Sequence, residues 1–408
     1  MDNAQPLETI QLGDYQPPVY RLHSVALHFN LQETVTIVHS RLDYECLQQR
    51  APLYLYGDGL ELLDIRIDDR ELADSSYALA GGRLSITDLP ARGCLQIRTQ
   101  IDPQNNTRLE GLYLSGGNFC TQCEAEGFRR ITYFPDRPDV LTRYTTTLEA
   151  DKTRYPVLLA NGNHVAGGNL ENGRHWARWY DPFPKPSYLF ALVAGDLACL
   201  EDQFTTASGR QVQLYIYAKS PYINRCHHAM ASLKKAMRWD EQRFGREYDL
   251  NRYMIVAVDD FNMGAMENKG LNIFNTKYVL ADPKTATDAD YRNVEGVIAH
   301  EYFHNWSGNR VTLRDWFQLS LKEGFTVYRD QEFSAAMGST AVKRIQDVNV
   351  LRTYQFREDA GPLAHPVRPQ SYAEINNFYT LTVYNKGAEV VRMVATLLGD
   401  TVFRAGCD

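Results

Sequence analysis

His300, Glu301 and His304 stand in the order H-E-x-x-H, and that spacing already defines a piece of chemistry. If 294–309 is helical, residues four apart share a face, so the two imidazoles converge on one point where a metal can be held. Glu301 falls beside that point, where a carboxylate can act as base on a water the metal holds. A third ligand is needed. Glu323 follows His304 by nineteen residues, inside a second helical stretch, 316–333, on which Leu319, Glu323, Thr326 and Asp330 fall on or near one face. Two imidazoles and one carboxylate are the protein ligands of a hydrolytic zinc site with an open position. An H-E-x-x-H arises by composition alone in roughly one chain in a hundred with this histidine content, so the third ligand carries the metal reading. Asp330, seven residues beyond Glu323, could orient a ligand, but reads first as an exposed helix acid.

The elements that must position these residues can be read outward from them. Thr287 and Asp290 have the spacing of a capping box, and Val294, Val297, Ile298 and Phe303 supply an apolar stripe for the first metal helix. Upstream, Met230, Leu233, Met237 and Phe244 mark the apolar side of a long helix, and 253–258 reads as a short buried strand. Downstream, Val342, Ile345, Val348 and Leu351 repeat at helical spacing. A loop with Pro362, Pro366 and Pro369 then precedes a last helix near 384–398. This part is α+β. The chain before it is strand after strand: Val25, Leu27, Phe29 and Leu31 alternate with less apolar neighbours, as do Leu95, Ile97, Thr99 and Ile101. Gly81-Gly82 joins two short runs as a hairpin turn, and the proline-rich 181–186 is expected to break strand pairing before the apolar run 188–194. The predicted organisation is multi-domain: an antiparallel β-domain over 1–196 and an α+β domain over 197–408.

Composition narrows the function classes. With 408 residues, 44% hydrophobic and 12% aromatic, the chain is globular and long enough for two or three cores. A net charge of -7, with no cluster of Lys and Arg, argues against a nucleic-acid surface. Neither a run of about eighteen apolar residues nor a signal-peptide pattern in 1–18 is present, so no membrane partner is expected. The seven cysteines are odd in number and scattered, which fits a reducing, cytoplasmic compartment. Cys120 and Cys123 form a C-x-x-C with no second pair beside it, and read as structural.

Between the strand at 253–258 and the first metal helix lies Gly264-Ala265-Met266-Glu267-Asn268. Its small residues let an extended peptide approach as an added strand, with Glu267 at one end; alone, the segment is an ordinary turn with an acid. Together, G-A-M-E-N and H-E-x-x-H-x18-E resemble the zinc aminopeptidase family that includes aminopeptidase N, most closely its bacterial cytosolic members. The resemblance extends through Thr121-Gln122-Cys123-Glu124-Ala125-Glu126-Gly127 and Thr382-Val383-Tyr384-Asn385-Lys386-Gly387 and covers the chain from about Tyr15.

The family implies a β-saddle domain followed by a thermolysin-like zinc-protease domain, one zinc ion, and peptides with a free N-terminus as substrates. It implies His300, His304 and Glu323 as ligands, Glu301 as general base, and Tyr384 as the phenol that stabilises the tetrahedral intermediate. Such a donor is worth about 3 kcal/mol. Gln122, Glu124 and Glu267 match the group that holds the substrate's amine, Gly264 and Ala265 the backbone that pairs with it, and Met263 the first side-chain pocket; Met266 and Asn268 complete the substrate-binding set. Bacterial relatives continue well past residue 408, and Asn385 stands where they often carry an acid. The alternatives are a leukotriene-type epoxide hydrolase with aminopeptidase activity, which the chain resembles less in the β-domain and near 376–382, and an inactive fragment or peptide-binding module.

Overall fold

The computed structural model describes residues 9–408, so the first eight residues of the segment read above as lacking a signal peptide lie outside the described residues. Contacts gather the chain into two compact units. One is 18–231 with 248–286, and the other is 232–247 and 287–408 with the described part of 1–17.

The first unit is built of sheets. Its largest has eight strands in the order Asn163–Asn169, Arg174–Lys185, Thr142–Asp151, Tyr20–Asn30, Thr36–Cys46, Arg92–Ile101, Glu61–Ile67 and Arg70–Glu71. The pairing is antiparallel except between Thr142–Asp151 and Tyr20–Asn30, which run parallel. Val25, Leu27, Phe29 and Leu31 are buried, as are Leu95, Ile97, Thr99 and Ile101, so the period-two pattern does select one face. Phe128 packs on Phe134 and Phe190 with ring centroids 4.9 and 5.2 Å apart, filling the interior. Tyr77–Ala80 and Arg83–Ile86 meet across Gly81-Gly82, whose φ values of +58° and +75° suit a two-residue hairpin and favour glycine. The prolines of 181–186 do not break the pairing: Arg174–Lys185 is one strand, with Asp181 opposite Tyr144 and Lys185 opposite Thr142. The register shifts between those pairs, and the irregularity takes up prolines that cannot donate to a regular ladder.

Two smaller antiparallel sheets and one mixed sheet complete this unit. The mixed sheet runs Ala198–Thr205, Gln211–Ala218, Arg252–Val258, Leu271–Asn275 and, at its edge, Ala265–Met266. Contacts group 197–231 and 248–286 with the β-rich residues. Cys120 and Cys123 are fully buried in this unit, and all seven cysteines are free.

The second unit is helical. It contains residues 232–244 of α1 (His227–Phe244), then α2 (Asp288–Phe303), α3 (Leu319–Met337), α4 (Thr340–Val350), α5 (Phe356–Asp359), α6 (Gly387–Leu398) and α7 (Asp400–Gly406). α2 begins as its sequence predicts: Thr287 Oγ1 accepts from Asp290 N at 3.2 Å and Asp290 Oδ2 accepts from Thr287 N at 2.8 Å. Such a cap contributes about 1 kcal/mol. Val294, Ile298 and Phe303 are buried, and Trp239, Phe303 and Phe333 bring α1, α2 and α3 together with centroids 5.0–5.7 Å apart. At Gly324 of α3 an added Cβ would lie 2.8 Å from the Gly387 carbonyl carbon, so two glycines allow α6 to approach the helix that carries Glu323.

The helical pattern through Val342 and Ile345 does form α4, yet these side chains are 53% and 61% exposed. Met393 and Leu397 of α6 are exposed as well, at 61% and 79%. Periodicity identifies an apolar face and says nothing of what covers it.

Candidate metal centre and amine-binding group

α2 delivers His300 from its last turn and His304 as its C-cap, while α3 delivers Glu323 from its second turn. His300 Nε2 and His304 Nε2 lie 3.0 Å apart, and Glu323 Oε2 lies 3.5 and 3.3 Å from them. Tetrahedral ligands at ordinary zinc distances are separated by about 3.3 Å, so this triangle has the size of a zinc site. The far side of each ring fixes its tautomer. His300 Nδ1 donates to Asp330 Oδ2 at 2.6 Å, and His304 Nδ1 donates to the Ser307 carbonyl at 2.8 Å. With each Nδ1 so occupied, the two Nε2 atoms face each other and a carboxylate oxygen, an arrangement that a shared proton or a bound metal ion would satisfy.

Charge tells the same story. Burial alone would lower the His300 pKa, but it is outweighed by the bonds to Asp330 and Glu323, which hold the imidazole well above its usual value. Burial would raise the pKa of Glu323; Lys322 and the two imidazoles instead bring it well below the usual carboxylate range. Lys322 Nζ, itself buried, sits 2.7 Å from Glu323 Oε1 and leaves Oε2 to face the imidazoles. Among the described residues, His300, His304 and Glu323 form a group able to hold a metal ion.

Glu301 is buried next to these ligands in sequence. The Tyr384 ring lies nearly parallel to that of His300, 14° between planes and 6.4 Å between centroids. Arg329, also buried, donates to the Phe303 carbonyl at 2.8 Å and pairs with Asp240 of α1, which secures the end of α2 where His304 sits. The reading of Asp330 as an exposed acid is corrected: its side chain is 19% exposed and holds His300. The sequence did put Asp330 and Thr326 on the Glu323 face. Thr326 Oγ1 donates to the same Ser307 carbonyl that His304 uses, at 3.1 Å. Lys322 and Arg329 left no such mark. Asp330→Asn is expected to weaken zinc binding about 10- to 100-fold in a chelator competition, and unchanged affinity would reduce Asp330 to a bystander.

The second cluster belongs to the β-rich unit. Glu124 and Glu267 are buried, and their carboxylates approach within 4.8 Å. Two carboxylates so close and so dry make a place that favours a positively charged group. Gln122 Nε2 donates to the Glu124 carbonyl at 3.0 Å, while Gln122 Oε1 is buried with no hydrogen-bond partner among the described residues. It is an acceptor held ready for a donor. Ala265–Met266 pairs with Ile273 and Phe274 as an edge strand, and Asn275 N donates to the Gly264 carbonyl at 3.0 Å. Met263 is half-buried, and Asn268 is buried with both amide atoms lacking partners among the described residues.

Residues 83–189 match the Peptidase M1 N-terminal domain, and residues 228–408 match the Peptidase family M1 domain. The chain belongs to peptidase family M1. Within M1 it is 58% identical over 402 residues to Aminopeptidase N of Caulobacter vibrioides, spanning 98% of this chain and 46% of that protein. Aminopeptidase N of Escherichia coli is also 58% identical, over 96% of this chain and 45% of its own length. A crystal structure of Legionella pneumophila aminopeptidase A in complex with aspartic acid superposes with a TM-score of 0.92 at 34% identity, covering 98% of this chain and 46% of that one. The chain thus spans about half the length of the M1 relatives it matches. Among the described residues no helix is long and apolar enough to cross a membrane.

Proposed function

We propose that this M1 chain carries the catalytic centre of a zinc aminopeptidase, which removes the N-terminal residue from peptides. The observation that carries the reading is the triangle of His300 Nε2, His304 Nε2 and Glu323 Oε2, with both imidazoles tied at Nδ1. His300, His304 and Glu323 would hold a zinc ion there, and the ion, when bound, would supply the polarisation of a carbonyl and a water whose pKa is lowered to about 7. Glu301 then takes the proton of the attacking water and passes it to the leaving amine. Tyr384 donates its phenol hydrogen to the oxygen that gains charge as the carbonyl is attacked.

Selection of chain ends follows from the second cluster. Glu124 and Glu267 receive the protonated α-amine and Gln122 Oε1 accepts one of its hydrogens, while the Gly264 and Ala265 backbone pairs with the peptide and Met263 lines the first side-chain pocket. Met266 and Asn268 complete the substrate-binding set. A blocked amine brings no positive charge to Glu124 and Glu267, so an N-acetyl-alanyl amide should turn over at least about a hundredfold more slowly than the free alanyl amide. Equal rates would remove the amine anchor. We set the functional boundary near 196, supported by the M1 matches that end at 189 and begin at 228. We infer a cytoplasmic enzyme of peptide breakdown, a reading supported by the scattered cysteines.

A further inference from the structure

Tyr384 sits at the centre of a five-residue π-helical turn, Thr382–Lys386, that runs into α6. Such turns are rare and short because neighbouring groups must hold them. Here both ends are held by two consecutive acids of α5. At the first residue, Glu358 Oε1 accepts from Thr382 N at 2.7 Å and from Thr382 Oγ1 at 2.5 Å. Thr382 Oγ1 in turn accepts from Gln355 Nε2 at 3.2 Å, and Gln355 closes a second π-helical turn, Leu351–Gln355. At the last residue, Lys386 Nζ meets Asp359 Oδ2 at 2.6 Å.

We propose that Glu358 is a positioning residue for the aminopeptidase reaction: by gripping Thr382 it fixes the turn that sets the Tyr384 phenol beside His300. The two grips differ in weight. Thr382 is fully buried, Glu358 is half-buried, and an ionised acceptor taking both a backbone N–H and a hydroxyl makes strong bonds. Lys386 and Asp359 are 40% and 33% exposed, and pairs of that kind contribute little. Glu358 therefore carries the clamp, and Asp359 assists.

This inference rests on Tyr384 acting as the donor to the developing oxyanion, and the experiment separates the two. Steady-state kinetics on an alanyl amide would compare E358A, E358Q, T382V, D359N, Y384F and the double variant E358A/Y384F, with zinc content and amide exchange of 382–386 followed alongside. E358A should lower kcat about 10- to 100-fold with KM within about twofold, and speed exchange in the turn. E358Q, which keeps an acceptor, should recover most of the rate, and D359N should change it by less than about twofold. E358A/Y384F should be no slower than Y384F alone, because the clamp acts only through the phenol. Full activity in E358A, or losses that multiply in the double variant, would overturn the positioning role. A Y384F as fast as the parent would instead overturn the role of Tyr384, and the clamp with it. If E358A does not fold, T382V tests the same coupling through a substitution of nearly equal volume.

Discussion

Glu301→Gln is expected to keep its zinc and lose about 10²- to 10⁴-fold in kcat, the range that a positioned general base supplies. The substitution preserves volume and puts a hydrogen-bonding amide at a buried position of α2, in place of the carboxylate proposed to take the proton. The metal should be indifferent, because its candidate ligands are His300, His304 and Glu323. Metal analysis alongside turnover of an alanyl chromogenic amide gives both readings on one sample. A variant with its zinc and its full rate would remove Glu301 from the scheme, and loss of zinc would move it among the ligands.

How much of this was legible from the chain depended on how local each cause is. The capping box of Thr287 and Asp290 acts within one turn, so the start of α2 follows from the residues themselves. The i, i+4 histidines and the buried faces of Tyr20–Asn30 and Arg92–Ile101 are likewise consequences of period alone. Asp330 was misread because an acid seven residues beyond a ligand looks the same whether its helix faces water or another helix. Only the packing of α3 against α2 gives it His300 as a partner. The strand Arg174–Lys185 runs on through Pro182 and Pro184 because a register shift in its partner absorbs them, a property of the pair and not of either sequence. The π-helical turn around Tyr384 had no signature in hydrophobic period, since it is set by Glu358, 24 residues upstream of Thr382. Glu124 and Glu267 lie far apart in the chain, and only the recurrence of family motifs linked them before the fold did.

Stripping the metal has the second large effect. A strong chelator is expected to take turnover to background, and one equivalent of zinc to restore it. The stripped protein should also melt at lower temperature, because zinc binds the folded arrangement and not the unfolded chain. Its stability should depend on pH with a definite sign. Without the metal, a proton on the buried His300, held by Asp330 and Glu323, is the remaining positive charge between the donors. That pKa is raised in the folded state, so its contribution is fully present below about pH 6.5, the unfolded value, and is lost as pH rises through the folded value. Zinc and proton compete for the same nitrogens, so zinc affinity should rise with pH over that window. Thermal melts of stripped and zinc-loaded protein across the window test both statements. A stripped protein that stabilises as pH rises would contradict the assignment of His300.

The central claim is that three side chains of α2 and α3 grip one ion, and zinc-edge X-ray absorption on metal-loaded protein tests it most directly. The account predicts one zinc per chain with two imidazole nitrogens and carboxylate or water oxygens at about 2.0–2.2 Å, and loss of one imidazole from that shell in His304→Ala. Sulfur in the shell, or a chain that retains no zinc after dialysis against buffer, would contradict it.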